Sequence, residues 1–197
     1  YKDGKLDGMA FAWYWNGQKM LKYHYKDGKK DGKHTWWYEN GQIEKEAHYK
    51  DGKEVGKWTA WHENGQKSGE KRFENGKLEG KFFNWYESGQ KESRGFMENG
   101  KEEELHVTWH ENGNKKSERS YENGKGEGLL VTWYENGNKE SQGSYENDKA
   151  EGKFFHWHEN GQMASEETFT EGEKISEKNW DRDGKPLGQE QEVDATK

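Results

Sequence analysis

The chain has 197 residues and no cysteine, and its 32 basic against 39 acidic side chains leave a net charge of −7, which excludes disulfides and thiolate metal sites. Only 27% of residues are hydrophobic while 15% are aromatic, so more than half of the apolar inventory is Trp, Tyr and Phe and an ordinary aliphatic two-layer core is not expected. A chain with 36% charged residues resembles a disordered one until the 11 Trp, 10 Tyr and 8 Phe are counted, because disordered chains are poor in aromatics.

Tyr1 begins a strand in the middle of a unit and without an initiating methionine, so an upstream segment is expected, together with an unpaired N-terminal strand edge open to further repeats or to another chain. From there the units follow at a fixed period. Trp13, Trp37, Trp61, Trp85, Trp109, Trp133 and Trp157 are each 24 residues apart. A second ladder of Tyr1, Tyr25, Tyr49, Phe73, Met97, Tyr121, Tyr145 and Phe169 keeps the same spacing. After each ladder Trp comes a turn signal: Asn16-Gly17, Asn40-Gly41, Asn64-Gly65, Ser88-Gly89, Asn112-Gly113, Asn136-Gly137 and Asn160-Gly161. After the Tyr ladder comes another, as in Asp27-Gly28-Lys29-Lys30-Asp31-Gly32. Gly and Asn tolerate the positive φ that hairpin turns need, and this glycine spacing is hostile to helix.

Between turns, segments such as Lys33 to Glu39 and Gln42 to Lys50 predict strands joined in an antiparallel meander, one hairpin per unit and about eight units. The fold class is all-β, a solenoid-like single sheet of tandem hairpins. A three-residue Glu39-Asn40-Gly41 loop with a left-handed Gly41 is preferred over a two-residue loop, because by parity it places Trp37 and Tyr49 on one face. The array loses phase at Trp180-Asp181-Arg182-Asp183-Gly184 and Pro186 follows, so residues 1–187 are read as the array and 188–197 as a polar tail. A single hairpin buries too little to fold alone, and stacking of neighbours must stabilise each one.

The run Tyr49-Lys50-Asp51-Gly52-Lys53-Glu54-Val55-Gly56-Lys57-Trp58-Thr59-Ala60-Trp61-His62-Glu63-Asn64-Gly65-Gln66 resembles MORN-type repeats, in particular the bacterial MORN variant of YwqK-family proteins. The resemblance covers essentially residues 1 to 184 and implies an elongated hairpin array. It further implies scaffolding, lipid contact in some members, and the antitoxin label common among YwqK-family proteins, none of which has a residue-level signature. Departures from the pattern fall at Glu104 and Asp148, where turn glycines are replaced, and at Met97.

The chemistry-bearing residues point away from catalysis. His106 with His110, or His156 with His158, have the even spacing of one strand face. Yet His62, His110 and His158 occupy the position after the ladder Trp, in alternation with Tyr14, Tyr38, Tyr86 and Tyr134, so the column takes any aromatic with a polar tip and no metal or cofactor is expected. Glu39, Glu63, Glu87, Glu111, Glu135 and Glu159 recur beside the turn, as a rim position does and a catalytic pair does not. No glycine run precedes a helix that would hold phosphate, and Lys interleaved with Glu offers no track for nucleic acid. No run has the length of a transmembrane segment, and the opening residues show no signal-peptide core.

Two surfaces remain. If the Trp ladder faces inward, Tyr38, His62, Tyr86, His110, Tyr134 and His158, with neighbours such as Trp36 and Trp58, form an exposed stripe suited to a protein partner; equally, these rings can cover the second face of the sheet against one another. A non-enzymatic protein-interaction scaffold, antitoxin-like in one version, is therefore the first expectation. A glycan or cell-wall binding module using exposed aromatics is the alternative.

Overall fold

In a computed structural model, residues 1–188 and 191–192 are described, and every element among them is a β-strand paired antiparallel to at least one other. The chain forms two compact units, residues 1–101 and 102–197. The first holds β1 (Gly8–Trp13), β2 (Lys19–Lys26), β3 (Lys29–Lys30), β4 (Gly32–Trp37), β5 (Ile43–Lys50), β6 (Lys53–Trp61), β7 (Lys67–Glu74), β8 (Lys77–Leu78), β9 (Gly80–Trp85) and β10 (Lys91–Glu98). The second is built from β11 (Lys101–Trp109), β12 (Lys115–Glu122), β13 (Lys125–Trp133), β14 (Lys139–Glu146), β15 (Lys149–Trp157), β16 (Met163–Thr170) and β17 (Glu173–Asn179), with the short β18 (Gln191–Glu192) paired to β17. Most of the polar tail expected at 188–197 lies outside the described residues.

Two turn types alternate along each unit, as the glycine signals require. Lys50 pairs with Lys53 around Asp51 (φ 49°) and Gly52 (φ 86°), a two-residue turn with both central residues left-handed, where Asp or Asn followed by Gly costs least. At the other end, the Gly41 amide donates to the Tyr38 carbonyl (3.0 Å) and the Tyr38 amide to the Gln42 carbonyl (2.9 Å), with Gly41 at φ 86°. That is the three-residue Glu39-Asn40-Gly41 loop with its glycine bulge.

The parity drawn from that loop nevertheless fails. Trp37 is opposite Ile43 and Trp36 is opposite Lys45, so Glu44 is an unpaired extra residue. The same skip occurs before Trp13, Trp61, Trp85, Trp109, Trp133 and Trp157. One extra residue shifts the register by one and sends the rest of the returning strand to the other face. Tyr49 consequently pairs with Gly32, on the face of His34 and Trp36, while Trp37 lies with Thr35 on the opposite face.

Both faces of the sheet are therefore packed. On the Tyr face of the first unit, His34 (1% exposed) sits between Tyr23, Tyr25, Trp36 and Tyr49, the last with ring centres 4.6 Å apart. In the second unit the same face carries Tyr145, Phe154 and Phe169 in edge contacts at 5.4 and 4.9 Å. Phe154 lies so close over Gly143 that a Cβ there would be 2.1 Å from the ring. On the Trp face, Thr35, Thr59, Val107 and Val131 are all buried. Small and β-branched residues fill a layer that is one sheet thick, which is why so little aliphatic residue is needed.

Candidate interaction surface

The Tyr and His column has a role that follows from its place one residue beyond the ladder Trp. Tyr14 Oη donates to the Trp37 carbonyl (2.7 Å), Tyr38 Oη to that of Trp61 (2.7 Å) and Tyr134 Oη to that of Trp157 (2.8 Å). The Nε2 atoms of His62, His110 and His158 reach the carbonyls of Trp85, Trp133 and Trp180 at 2.7, 2.7 and 3.1 Å, which fixes Nε2 as the protonated nitrogen. Each ring is a strut from one hairpin to the next. Tyr38, His62, Tyr86, His110, Tyr134 and His158 are half-buried. Burial raises the Tyr38 and Tyr134 hydroxyl pKa values, with nearby glutamates, Glu44 and Glu140 foremost, adding to it, so both stay protonated donors.

Outside these struts runs the loop rim. Asn40 Oδ1 accepts from the Gln42 amide (2.9 Å) while its Nδ2 donates to the Glu63 carbonyl of the next hairpin (3.0 Å). Asn16, Asn64, Asn112, Asn136 and Asn160 repeat the forward bond. The side chains of Glu39, Glu63, Glu87, Glu111, Glu135 and Glu159 stay exposed, so their recurrence comes from the loop rather than from any reaction.

Trp36 and Trp58 belong to the Tyr face, half-buried, with Lys45 Nζ 4.2 Å and Lys71 Nζ 5.1 Å from their ring centres. Of the structural ladders, Trp37, Trp61 and Trp85 line one face of the first unit and Tyr25, Tyr49 and Phe73 the other, while in the second unit Trp109, Trp133 and Trp157 lie on one face and Tyr121, Tyr145 and Phe169 on the other. Trp37, Trp85, Trp133 and Trp157 are not bare. Lys19, Lys67, Lys115 and Lys139 lie over Trp37, Trp85, Trp133 and Trp157 at 5.9, 5.2, 5.4 and 5.3 Å from the ring centres, each from the hairpin before. A sugar stacking there would have to displace the lysine.

One column escapes a reading for aromatics and glycines. At the two-residue turns, Asp7, Glu79, Glu103, Glu127 and Glu151 accept hydrogen bonds from the amides of Asp27, Asn99, Asn123, Asn147 and Glu171. The signal was present as an acid every 24 residues, interrupted at Val55. An open depression of about 240 Å³ beside Glu146, Asn147, Lys149, Glu151 and Glu171 is one such capped turn. Among the described residues, no three His, Asp or Glu side chains are placed to hold a metal ion, and no helix is long and apolar enough to cross a membrane.

Two interlocking turn types, a covered aromatic ladder on each face and struts between hairpins define a tandem β-hairpin repeat protein. The family model for the MORN repeat variant matches residues 30–51, 54–75, 78–99, 105–123, 126–147 and 150–171, and the chain belongs to that family. A comparison with curated proteins finds no match.

Proposed function

We propose that this chain is a non-enzymatic scaffold that binds a partner protein along its loop rim. The observation that supports this most is the division of labour within the repeat: polar tips and aromatic faces are engaged in stacking, while exposed Glu side chains and half-exposed Tyr and His rings recur at constant spacing. Periodic surfaces with a polar rim and aromatic rings suit protein contact. Tyr38, His62, Tyr86, His110, Tyr134 and His158 are the ring part of this surface. Neutralisation of a partner, as the likeness to YwqK-family antitoxins suggests, is the specific version of the reading.

The test is affinity capture from the native cells, with the unchanged chain and with a variant in which Glu39, Glu63, Glu111 and Glu135 become Lys. These side chains are exposed, so circular dichroism should be unchanged. Enrichment of one protein by the unchanged chain and its loss with the variant is the expected result. Equal retention by both, or retention of polysaccharide alone, would overturn the proposal.

A further inference from the structure

The chain holds nine Asn-Gly pairs, and its two turn types treat them differently. Asn followed by Gly is chemically labile, because glycine has no side chain to keep its amide nitrogen away from the neighbouring carboxamide. In the three-residue loops, the carboxamides of Asn16, Asn40, Asn64, Asn112, Asn136 and Asn160 are held at both ends. Oδ1 accepts from an amide two residues on and Nδ2 donates to a carbonyl of the next hairpin, all at 2.7 to 3.0 Å. The two-residue turns carry Asn75, Asn99 and Asn123, exposed and left-handed at φ 52°, 53° and 54°. Among the described residues, these three carboxamides make no hydrogen bond. The glycine amide is engaged in both turn types, Gly65 on the His62 carbonyl (2.9 Å) and Gly76 on the Glu54 carbonyl (2.8 Å), so it does not separate them.

Asn75 differs again from Asn99 and Asn123, although all three lie in the same run, Glu-Asn-Gly-Lys. Glu79 takes the Asn99 amide and Glu103 the Asn123 amide, each at 2.8 Å. At the corresponding place before Asn75 the acid is replaced by Val55, so that turn has no such cap. The cap acts in two ways. It holds the turn closed, and its carboxylate opposes negative charge on the glycine nitrogen one residue away.

We propose that Asn75 is a site of spontaneous deamidation that reacts ahead of the other Asn-Gly pairs. The Gly76 nitrogen loses its proton to solvent base and bonds to Asn75 Cγ; the side-chain nitrogen takes up a proton and leaves as ammonia, giving a cyclic imide. Water then opens the ring at Cγ to give Asp, or at the main-chain carbonyl to give isoaspartate. The turn accepts Asp, since Asp27 and Asp51 hold the same position at φ 51° and 49°. Isoaspartate instead lengthens the main chain by a methylene between Glu74 and Lys77, which are paired across this turn. One product adds a charge, and the other loosens the β7–β8 pairing.

The test is incubation of the full chain in mildly alkaline buffer, with peptide mapping by mass spectrometry to follow the mass gain at every Asn-Gly pair. Conversion of Asn75 at least about tenfold faster than that of Asn40 and Asn64, and faster than that of Asn99, is the expected result. In urea, where the turns are lost and the shared Glu-Asn-Gly-Lys run leaves no local difference, Asn75 and Asn99 should convert alike. Equal rates at Asn75 and Asn99 in the folded chain overturn the proposal, and so does a difference between them that persists in urea. Val55→Glu supplies the missing cap and should slow Asn75 to the Asn99 rate. An unslowed Asn75 in a Val55→Glu chain with an unchanged circular dichroism spectrum overturns the proposal as well. Where that variant fails to fold, the order of Asn75 before Asn99 in the unchanged chain decides by itself.

Discussion

At the scale of single residues, the backbone shows where this chain departs from its own pattern. Glu104 has φ 60° at the position where Gly32, Gly56, Gly80, Gly128 and Gly152 all lie between 70° and 85°. A side chain in this region costs about 1–2 kcal/mol, so Glu104→Gly should raise the urea midpoint by the equivalent of about 1 kcal/mol after the entropic cost of glycine. A fall in the midpoint would show that the Glu104 side chain stabilises something else. His34 gives a pH dependence. Burial, with Lys30 and His24 adding a smaller effect, depresses its pKa, against the pull of the His24 carbonyl accepting from Nε2 at 3.0 Å. The unfolded chain then binds the proton first, so stability present at neutral pH is lost as pH falls below about 6.5. His34→Phe, at a position where Phe82 and Phe154 serve elsewhere, should flatten the stability difference between pH 7.5 and 5. An unchanged slope would assign the effect to other groups.

At the scale of elements, each loop is stabilised by its neighbour. Asn40→Ala removes a bond within its own loop and the strut to the Glu63 carbonyl, and should cost about 1–2 kcal/mol in equilibrium unfolding. A loss below about 0.3 kcal/mol would mean that water replaces both bonds. The second unit holds a more specific coupling. Arg119 bonds Asp148 at 2.9 Å and lies over Tyr121 and Tyr145 at 5.1 and 5.0 Å, while Asp148 Oδ1 also accepts from the Gly126 amide (2.8 Å). Gly126 leaves room for the guanidinium, since a Cβ would be 1.9 Å from it. Three unusual residues thus form one unit, and Asp148 at φ 67° is strained on its own. Asp148→Gly should destabilise the parent but stabilise an Arg119→Ala background, with a coupling of about 1 kcal/mol in a double-mutant cycle. Additive effects would dismiss the unit.

At the scale of the whole molecule, stability comes from contacts between adjacent hairpins. The free Lys53–Gly76 peptide should be largely unstructured by circular dichroism, and chains shortened by one hairpin at a time should lose stability in steps. A fully folded single hairpin would contradict the strut arrangement. Much of this organisation is legible in the amino-acid order. The period comes from Trp13 to Trp157, both turns come from the Asn-Gly and Asp-Gly pairs, and the three-residue loop follows from the glycine that must be left-handed. The capping acids were equally present, but an acid on a charged surface carries no signal until the amide it faces is known.

The sequence by itself determined the repeat, its strands and turns, and its family, because turn chemistry and periodicity are local properties of the chain. Only the tertiary structure decided which residues share a face. One unpaired residue, Glu44 and its equivalents, reverses the side taken by every later residue of the strand, so that Trp37 and Tyr49 lie on opposite faces. It likewise decided that the Tyr and His tips are struts, since their acceptors are backbone carbonyls 23 residues away, or 22 for His158, which no local pattern brings within reach.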